Sequence, residues 1–315
     1  MKTKRIRTVF RSPLNSGRQL FSKLACFGAV ILICSGASAQ NLFVSGRDAG
    51  GGEIFKFTWD GRQSIFASGF YRPWDVAFDS TGNLYFVDYE ILNDDDGGPR
   101  GNAAIYKITP NGTLTIVASR VSYPSYLAID RTANVFVADY GDGIIYKYKP
   151  NGSRATFATG LHHPVGMAFD SAGNLFVVDN NANIYQGHIY QYKPDGSRTI
   201  FAVLDSRDRP ADLAFDGMGS LLMADLGGNI YRYVVLRRQP RTTFGSVPGS
   251  AQSLACDSAG NLFVVDAGGV NSSGTGAPNG IYKFNQQGAR STFASAKALD
   301  EGFACLAFQP VACCQ

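Results

Sequence analysis

Two aspartates, Asp75 and Asp212, have the residue type and spacing that could do chemistry. Each lies two residues before the alanine of a recurring string, Asp-Val-Ala-Phe-Asp at 75–79 and Asp-Leu-Ala-Phe-Asp at 212–216. Two carboxylates that face each other can bind a cation or share a proton. Alternatively, each carboxylate accepts backbone N–H bonds where its strand begins.

A second acidic group, Asp94, Asp95 and Asp96, precedes two glycines in the longest interval between recurring strings. Calcium prefers flexible, oxygen-rich loops, so calcium or another divalent cation is a candidate ligand here. The loop lacks the regular spacing and terminal glutamate of an EF-hand, and a solvated acidic loop is the alternative.

The histidines are His162, His163 and His188. His162 and His163 share one loop, whereas His188 follows on a neighbouring stretch, which disfavours a three-histidine metal site drawn from separate elements. The His162-His163 pair is a candidate for a binding surface, and solvated loop histidines are the alternative.

These residues belong to a repeated unit. Strings of the Ala-Phe-Asp type end at Asp79, Asp130, Asp170, Asp216 and Asp257, and strings like Asn-Leu-Phe-Val-Val-Asp end at Asp88, Asp139, Asp179, Asp225 and Asp266. Both series show successive intervals of 51, 40, 46 and 41 residues, so the unit is duplicated. The recurrence of the second series favours turn capping once per unit over a ring of ligands.

Each unit contains four short strings rich in β-branched and aromatic residues, separated by turn chemistry such as Pro-Asn-Gly at 150–152. Asn-Gly supplies the positive φ angles that tight hairpins need. Four antiparallel strands at this period are typical of a propeller blade. The sequence therefore predicts an all-β fold, a six-bladed β-propeller, over residues 40–310.

The ends of the chain predict how the ring closes. The first string, at 41–44, is of the second-strand type, and its missing partner is the first-strand string Cys305-Leu306-Ala307-Phe308. We therefore expect the C-terminal strand to become the innermost strand of the blade that begins at the N-terminus, which removes two open sheet edges.

The stretch from Pro164 to Asp179, Pro-Val-Gly-Met-Ala-Phe-Asp-Ser-Ala-Gly-Asn-Leu-Phe-Val-Val-Asp, resembles an NHL repeat. The chain over 41–310 resembles the superfamily that joins NHL propellers with the gluconolactonase-like (senescence marker protein, LRE-like) proteins. That superfamily contains lactonases, lyases and binding modules, so the resemblance implies the fold more than an activity.

The resemblance implies where a lactonase metal site belongs. In lactonases of this superfamily a glutamate near the first blade and Asn or Asp residues early in the first-strand strings hold a divalent metal. The corresponding positions here are Trp74, Ser125, Val165, Ala211, Gln252 and Ala304. None is a carboxylate, and only Gln252 offers an amide oxygen, so the lactonase site is not reproduced.

One rim of the propeller is the predicted binding surface. Two residues before the alanine of each first strand stand Asp75, Tyr126, Gly166, Asp212, Ser253 and Cys305, which we expect around the mouth of the channel. Trp74, Tyr89, Tyr123, Tyr126 and Tyr140 would supply aromatic contacts there. The sequence thus predicts a module that binds a small molecule, a glycan or a protein. The alternative is a metal-dependent lactonase or hydrolase with a rearranged site.

Four cysteines lie beyond residue 39: Cys256, Cys305, Cys313 and Cys314. Their even number permits two disulfides, with three connectivities open. Pairing of the C-terminal tail, residues 311–315, to Cys256 or Cys305 would fix the closing strand, and a structural clasp is favoured over catalysis because no histidine lies near in sequence.

Residues 1–39 have the pattern of a secretory signal peptide. They contain seven basic and no acidic residues, an apolar run from Leu24 to Cys34, and the small-residue site Ala37-Ser38-Ala39. Without them the chain has 22 basic and 25 acidic side chains, a net charge of −3, which offers no general footprint for nucleic acid. We expect a secreted or periplasmic protein that is not membrane-bound after cleavage, since no later apolar run is long enough to span a bilayer.

Overall fold

Each repeated string forms a strand, and four strands form one antiparallel sheet. The computed structural model of the protein describes residues 40–48, 51–89, 103–180, 186–235, 240–270, 276–277, 279–295 and 305–310. Six four-stranded sheets form the six blades, and a two-stranded ribbon is inserted in the last of them. The predicted six-bladed β-propeller is therefore confirmed.

Blades 1 to 3 contain the first strands of the chain. Blade 1 comprises β1 (Leu42–Asp48), β2 (Gly51–Phe57) and β3 (Gln63–Phe70). Blade 2 comprises β4 (Pro73–Phe78), β5 (Leu84–Tyr89), β6 (Ala103–Ile108) and β7 (Leu114–Val121). Blade 3 comprises β8 (Pro124–Ile129), β9 (Val135–Asp139), β10 (Ile144–Tyr148) and β11 (Arg154–Ala158).

Blades 4 to 6 repeat this order, and the last strand returns to blade 1. Blade 4 comprises β12 (Pro164–Phe169), β13 (Leu175–Asp179), β14 (His188–Tyr192) and β15 (Arg198–Val203). Blade 5 comprises β16 (Pro210–Phe215), β17 (Leu221–Asp225), β18 (Asn229–Tyr233) and β19 (Thr242–Ser246). Blade 6 comprises β20 (Ala251–Cys256), β21 (Leu262–Asp266), the ribbon β22 (Gly269–Val270) and β23 (Gly276–Ala277), then β24 (Gly280–Phe284) and β25 (Arg290–Ala294), and it is followed by β26 (Leu306–Phe308).

The ring closes as the sequence predicts. The C-terminal strand β26 pairs antiparallel with β1, with Leu42 opposite Phe308 and Val44 opposite Leu306, and becomes the innermost strand of blade 1. Both sheet edges that an open ring would expose are paired.

Phenylalanines at equivalent positions fill the spaces between blades. Phe176 of β13 meets Phe201 of the same blade and Phe215 of the next, at centroid distances of 5.1 Å in both pairs. The equivalent groups are Phe43 with Phe66 and Phe78, Phe136 with Phe157 and Phe169, and Phe263 with Phe293 and Phe308. Edge-to-face ring pairs of this kind stabilise the contact between neighbouring blades by more than their buried apolar area alone would.

The aspartate before each first hairpin caps its turn. The Asp79 carboxylate accepts the backbone N–H groups of Thr81 and Asn83 at 2.9 and 3.0 Å, and the Asn83 side-chain amide donates back to it at 2.6 Å. The same backbone bonds recur at Asp130, Asp170, Asp216 and Asp257. This rim is thereby fixed by local hydrogen bonds, with one Asx turn in each of blades 2 to 6.

Segments 1–39, with the predicted signal peptide, and 90–102, with Asp94, Asp95 and Asp96, lie outside the described residues. The tail cysteines Cys313 and Cys314 also lie outside them. In the part of the chain that is described, no helix has the length and apolar character needed to cross a membrane.

Candidate functional site: the axial pocket

The five innermost strands that precede β26 share an irregularity near their first residues. Register shifts interrupt the pairing of β4, β8, β12, β16 and β20 with their second strands, for example between Pro73 and Val76 and between Pro210 and Asp212. A bulge breaks strand alternation and re-aims a side chain. Asp75 and Asp212 lie at these bulges, so their side-chain directions do not follow from counting residues along a regular strand.

Both carboxylates are buried and join adjacent blades. Asp75 accepts the backbone N–H of Leu127, in blade 3, at 2.6 Å and that of Val76 at 2.9 Å. Asp212 accepts the N–H of Leu254 and the hydroxyl of Ser253, both in blade 6, at 2.9 Å, and the N–H of Leu213 at 2.7 Å. The capping role, one of the two alternatives, is thus present in the structure.

Further contacts complete a ring around the axis. The Ser45 hydroxyl of blade 1 donates to the Trp74 carbonyl at 2.8 Å, and the Ser125 hydroxyl of blade 3 donates to the Pro164 carbonyl at 3.0 Å. The backbone N–H of Leu306 donates to the Ser253 hydroxyl at 3.3 Å and so joins blade 6 to blade 1.

Between blades 4 and 5 the ring contact is steric. Gly166 has a φ of +62°, and a Cβ atom at this position would lie 2.7 Å from the Cα atom of Asp212. Only glycine allows this backbone conformation together with such a close approach. Every blade therefore contacts both neighbours near the axis.

The ionisation of the central groups is strongly perturbed. Burial, and then the negative charge of Asp212, raises the pKa of Asp75 to about 8 against the opposing effect of its backbone N–H bonds. Burial raises the pKa of Asp212 to about 7. Burial, and then the negative charges of Asp75 and Asp212, raises the pKa of the Cys305 thiol well above its usual range. Cys305 is therefore a poor nucleophile, since the thiolate is the reactive form.

A cavity of about 280 Å³ lies at the end of the channel where the innermost strands begin. Its walls are mainly aromatic and aliphatic side chains. They comprise Trp74, Tyr89, Tyr123, Ser125, Tyr126, Tyr140, Val165, Pro210, Ala211, Leu226, Gln252 and Cys305. We call this cavity the axial pocket.

The structure brings together all five aromatic residues named for the rim. Trp74 and Tyr89 meet edge to face, with centroids 6.0 Å apart, and the Tyr89 hydroxyl donates to the Pro124 carbonyl at 2.6 Å. Tyr123 and Tyr140 are each 43% exposed at the entrance, whereas Tyr126 is half-buried deeper in the pocket. Burial, and then the charges of Cys305, Asp212 and Asp75, raises the Tyr126 pKa well above its usual value. Asp75 and Asp212 directly follow the lining residues Trp74 and Ala211 in their strands, so the buried carboxylates adjoin the pocket.

Gln252, the one amide among the lactonase-equivalent positions, lines the pocket. Its Oε1 atom is buried and has no hydrogen-bond partner in the described part of the chain. A buried acceptor without a donor is costly, which makes it a suitable contact for a ligand N–H or O–H.

His162 and His163 support the rim and are not among the residues that line the cavity. Their backbone N–H groups donate to Asp179 at 2.8 and 2.9 Å, and the His163 ring stacks on Tyr140 with centroids 4.5 Å apart. His188, on β14, stacks on Tyr190 instead. The predicted capping by the second aspartate series is seen here and also at Asp88, Asp139, Asp225 and Asp266.

The residues near the axis do not supply the set of donor atoms that a bound divalent metal needs. The Asp75 and Asp212 oxygens already accept the hydrogen bonds given above, and the described residues include no group of three or more His, Cys, Asp or Glu side chains able to hold a metal. The positions of lactonase donors are occupied by pocket-wall residues: Trp74, Ser125, Val165, Ala211 and Gln252. Calcium binding by the loop at Asp94, Asp95 and Asp96 stays a prediction.

Within the described residues, Cys256 and Cys305 are not joined to each other by a disulfide. Cys305 forms part of the pocket wall, which agrees with its predicted place around the mouth of the channel. Pairing with Cys313 or Cys314 stays a prediction, because both lie outside the described residues. Other lining residues are not among those predicted for the rim, although the resemblance singles out the positions of the first three: Ser125, Val165, Ala211, Pro210 and Leu226.

Solved structures share the fold at low sequence identity. A gluconolactonase from Xanthomonas campestris is 17% identical, with a TM-score of 0.56 over 72% of this chain and 76% of that one. The PQQ-bound aldose sugar dehydrogenase from Streptomyces coelicolor is 15% identical, with a TM-score of 0.59 over 77% and 90%. Virginiamycin B lyase from Staphylococcus aureus is 12% identical, with a TM-score of 0.53 over 82% and 85%.

No protein-family model matches the sequence, and no curated protein matches it by sequence. The structural similarity agrees with the resemblance to gluconolactonase-like propellers at the level of the fold. Because these neighbours include both lactone-processing and other enzymes, the function has to be argued from the pocket.

Proposed function

We propose that the protein is an exported binding module that takes up a small molecule in the axial pocket. The observation that carries this proposal is the concentration of five aromatic side chains around one cavity of about 280 Å³, with few polar groups among them. Small-molecule sites are concave, largely apolar and aromatic, and contain a few polar groups that fix orientation.

A small ligand suits this cavity better than the other partners predicted from the sequence. A glycan needs many hydrogen-bonding groups, whereas the walls offer mainly Ser125, Gln252 and tyrosine hydroxyls as polar groups. A protein partner would need a wide contact surface, and the aromatic residues here converge on a recess. The lactonase alternative lacks carboxylate donors at the five described positions where the resemblance would place them.

Export is supported by the signal-like pattern of residues 1–39. The net charge of −3 beyond that segment argues against nucleic acid as a partner.

The two tryptophans of the chain make the pocket proposal testable. Trp74 lies in the pocket wall, whereas Trp59 lies in the turn between β2 and β3 and is 71% exposed. In a Trp59→Phe variant the tryptophan fluorescence reports on the pocket alone. We would titrate this variant with prodan, a neutral, flat naphthalene probe, and expect saturable quenching of Trp74 with sensitised probe emission.

A pair of further variants localises the signal. Tyr123→Ala removes an aromatic wall at the entrance and should weaken prodan binding several-fold. Ile116→Ala removes an exposed apolar side chain from the outer strand β7, away from the pocket, and should leave binding unchanged. Absence of saturable quenching, or equal loss in both variants, would contradict the pocket as a binding site.

A further inference from the structure

We propose that the natural ligand of the axial pocket is an organic ammonium ion, held by its aromatic walls above the buried carboxylates. This inference rests on the proposed function of the pocket and names the class of its ligand. Three features of the site support it: the aromatic walls, the two buried carboxylates that pair with no basic side chain in the described part of the chain, and the amide oxygen that lacks a hydrogen-bond partner there.

The walls have the composition of a cation-binding aromatic site. Cations are attracted to the faces of Trp and Tyr rings, most strongly where the cation is removed from water. Four tyrosines and Trp74 surround the cavity. One cation already uses this attraction at its edge, because the Arg72 guanidinium lies 5.0 Å from the centroid of the Trp74 ring. This contact shows that the Trp74 ring takes part in a cation–π interaction in this protein.

Asp75 and Asp212, the buried carboxylates next to the pocket, have a charge opposite to that of a cation when they are ionised. Asp75 and Asp212 are both buried, and their charges act on Tyr126 and Cys305, which line the pocket. In the described part of the chain, the ion pairs formed by Lys, Arg and His involve other acidic residues. The charge that these carboxylates acquire as they ionise, with pKa values of about 8 and about 7, is met by backbone N–H groups and a hydroxyl. A cation in the pocket would favour their ionised form and gain electrostatic energy in a site of low dielectric.

The Gln252 amide distinguishes an ammonium ion from a bulky apolar ligand. Its buried Oε1 atom has no partner, and it can accept a hydrogen bond from a charged N–H group. Hydrogen bonds to a charged partner are stronger than neutral ones. When Asp75 and Asp212 are ionised, they would repel a carboxylate. A sugar acid, the product of lactone opening, should therefore be excluded from the pocket.

The test compares three probes of closely similar shape: 2-phenylethylammonium, 2-phenylethanol and 3-phenylpropionate. They would be titrated into the Trp59→Phe protein at pH 8.5, where Asp75 and Asp212 ionise and the amine probe keeps its charge. We expect the ammonium probe to bind at least about tenfold more tightly than the alcohol. The carboxylate should bind most weakly.

Two variants test whether Asp75 and Gln252 cause the preference for the ammonium probe. Asp75→Asn should reduce the ammonium-to-alcohol affinity ratio several-fold, with both affinities measured in the same variant. Gln252→Leu should also lower that ratio, and it serves if Asp75→Asn does not fold, because Gln252 makes no hydrogen bond that the fold would lose through its Oε1 atom.

The outcomes separate this inference from the proposed function. Equal binding of the ammonium and alcohol probes, or tighter binding of the alcohol or carboxylate, would overturn the cation assignment. Binding of prodan without binding of any phenyl probe would also overturn it while leaving the pocket as a binding site. If neither prodan nor the phenyl probes bind, the proposed function itself fails.

Discussion

Two opposing effects act on the ionisation of Asp75 and Asp212. Burial disfavours their charged form, whereas the backbone N–H groups that donate to them favour it. Burial has the larger effect, and the pKa values of the folded state, about 8 and about 7, exceed the ordinary value for Asp. Desolvation thus leaves these two side chains able to change protonation state near neutral pH.

The stability of the protein should therefore fall as pH rises from about 5 to about 8. In this window the unfolded chain has released the Asp75 proton and the folded protein still holds it, so the stability present at low pH is lost as pH rises through the folded-state pKa. Each retained proton contributes a slope of up to about 1.4 kcal/mol per pH unit. Urea unfolding of the protein at four pH values across this range, followed by circular dichroism, measures the slope.

Asp75→Asn is the comparison that isolates this group. The variant loses part of the capping at Leu127, which lowers stability at every pH and leaves the slope as the informative quantity. We expect a shallower decline than in the wild type, with the remainder due mainly to Asp212. Parallel curves for the two proteins would show that Asp75 ionises normally in the fold.

The positions of the innermost strands could be predicted from the sequence, but the bulges at their beginnings could not. Their positions follow from strings repeated with the same spacing, so β4, β8, β12, β16 and β20 could be placed from sequence. The bulges at their beginnings could not, because Asp75, Tyr126, Gly166, Asp212 and Ser253 share no residue type that signals one. The repeated register shift appears only when blades pack around the axis.

The axial pocket was predictable in part for the same reason. Trp74, Tyr89, Tyr123, Tyr126 and Tyr140 could be assigned to one rim because strand direction places strand starts and loop ends together. Val165, Pro210 and Leu226 are ordinary apolar residues in sequence, and only the curvature of the ring brings them to the cavity wall.

The close contact between β12 and β16 should make Gly166 intolerant of an added side chain. Gly166→Ala would put a methyl group 2.7 Å from the Cα atom of Asp212. Gly160→Ala is the matched control, since Gly160 has a φ of +73° and its added methyl group would meet no atom within 4 Å. Backbone strain costs about 1–2 kcal/mol in both variants. Gly166→Ala should lose about 1–3 kcal/mol more, from crowding between blades.

Urea unfolding at fixed pH compares these variants directly. Because both substitutions place alanine at a positive φ, the difference between their free energies of unfolding measures the interblade contact. Equal losses in the two variants would mean that blades 4 and 5 can separate by a few tenths of an ångström without cost.

The ring as a whole depends on a strand of three residues, β26. Leu306 joins the core between blades 6 and 1, and Phe308 packs against Phe263 with centroids 4.8 Å apart, repeating the phenylalanine contacts of other blade interfaces. Cys305 contributes to the axial pocket, and the Gln309 N–H donates to the Asn41 carbonyl at 3.1 Å. The closure of the ring and the wall of the axial pocket therefore depend on the same segment.

Deletion of residues 304–315 should consequently unfold more than one blade. It removes the partner of β1, exposes an unpaired edge, and uncovers Phe263 and Leu42, so we expect aggregation or a molten state with strand content but without fixed tertiary packing. Deletion of residues 311–315 alone retains β26 and is the control that separates the tail from the strand. Near-ultraviolet circular dichroism and cooperative urea unfolding report on packing, and Trp74 quenching by prodan reports on the pocket. A 304–315 deletion that unfolds as cooperatively as the control, at the same urea concentration, would mean that the other strands hold the ring closed without β26.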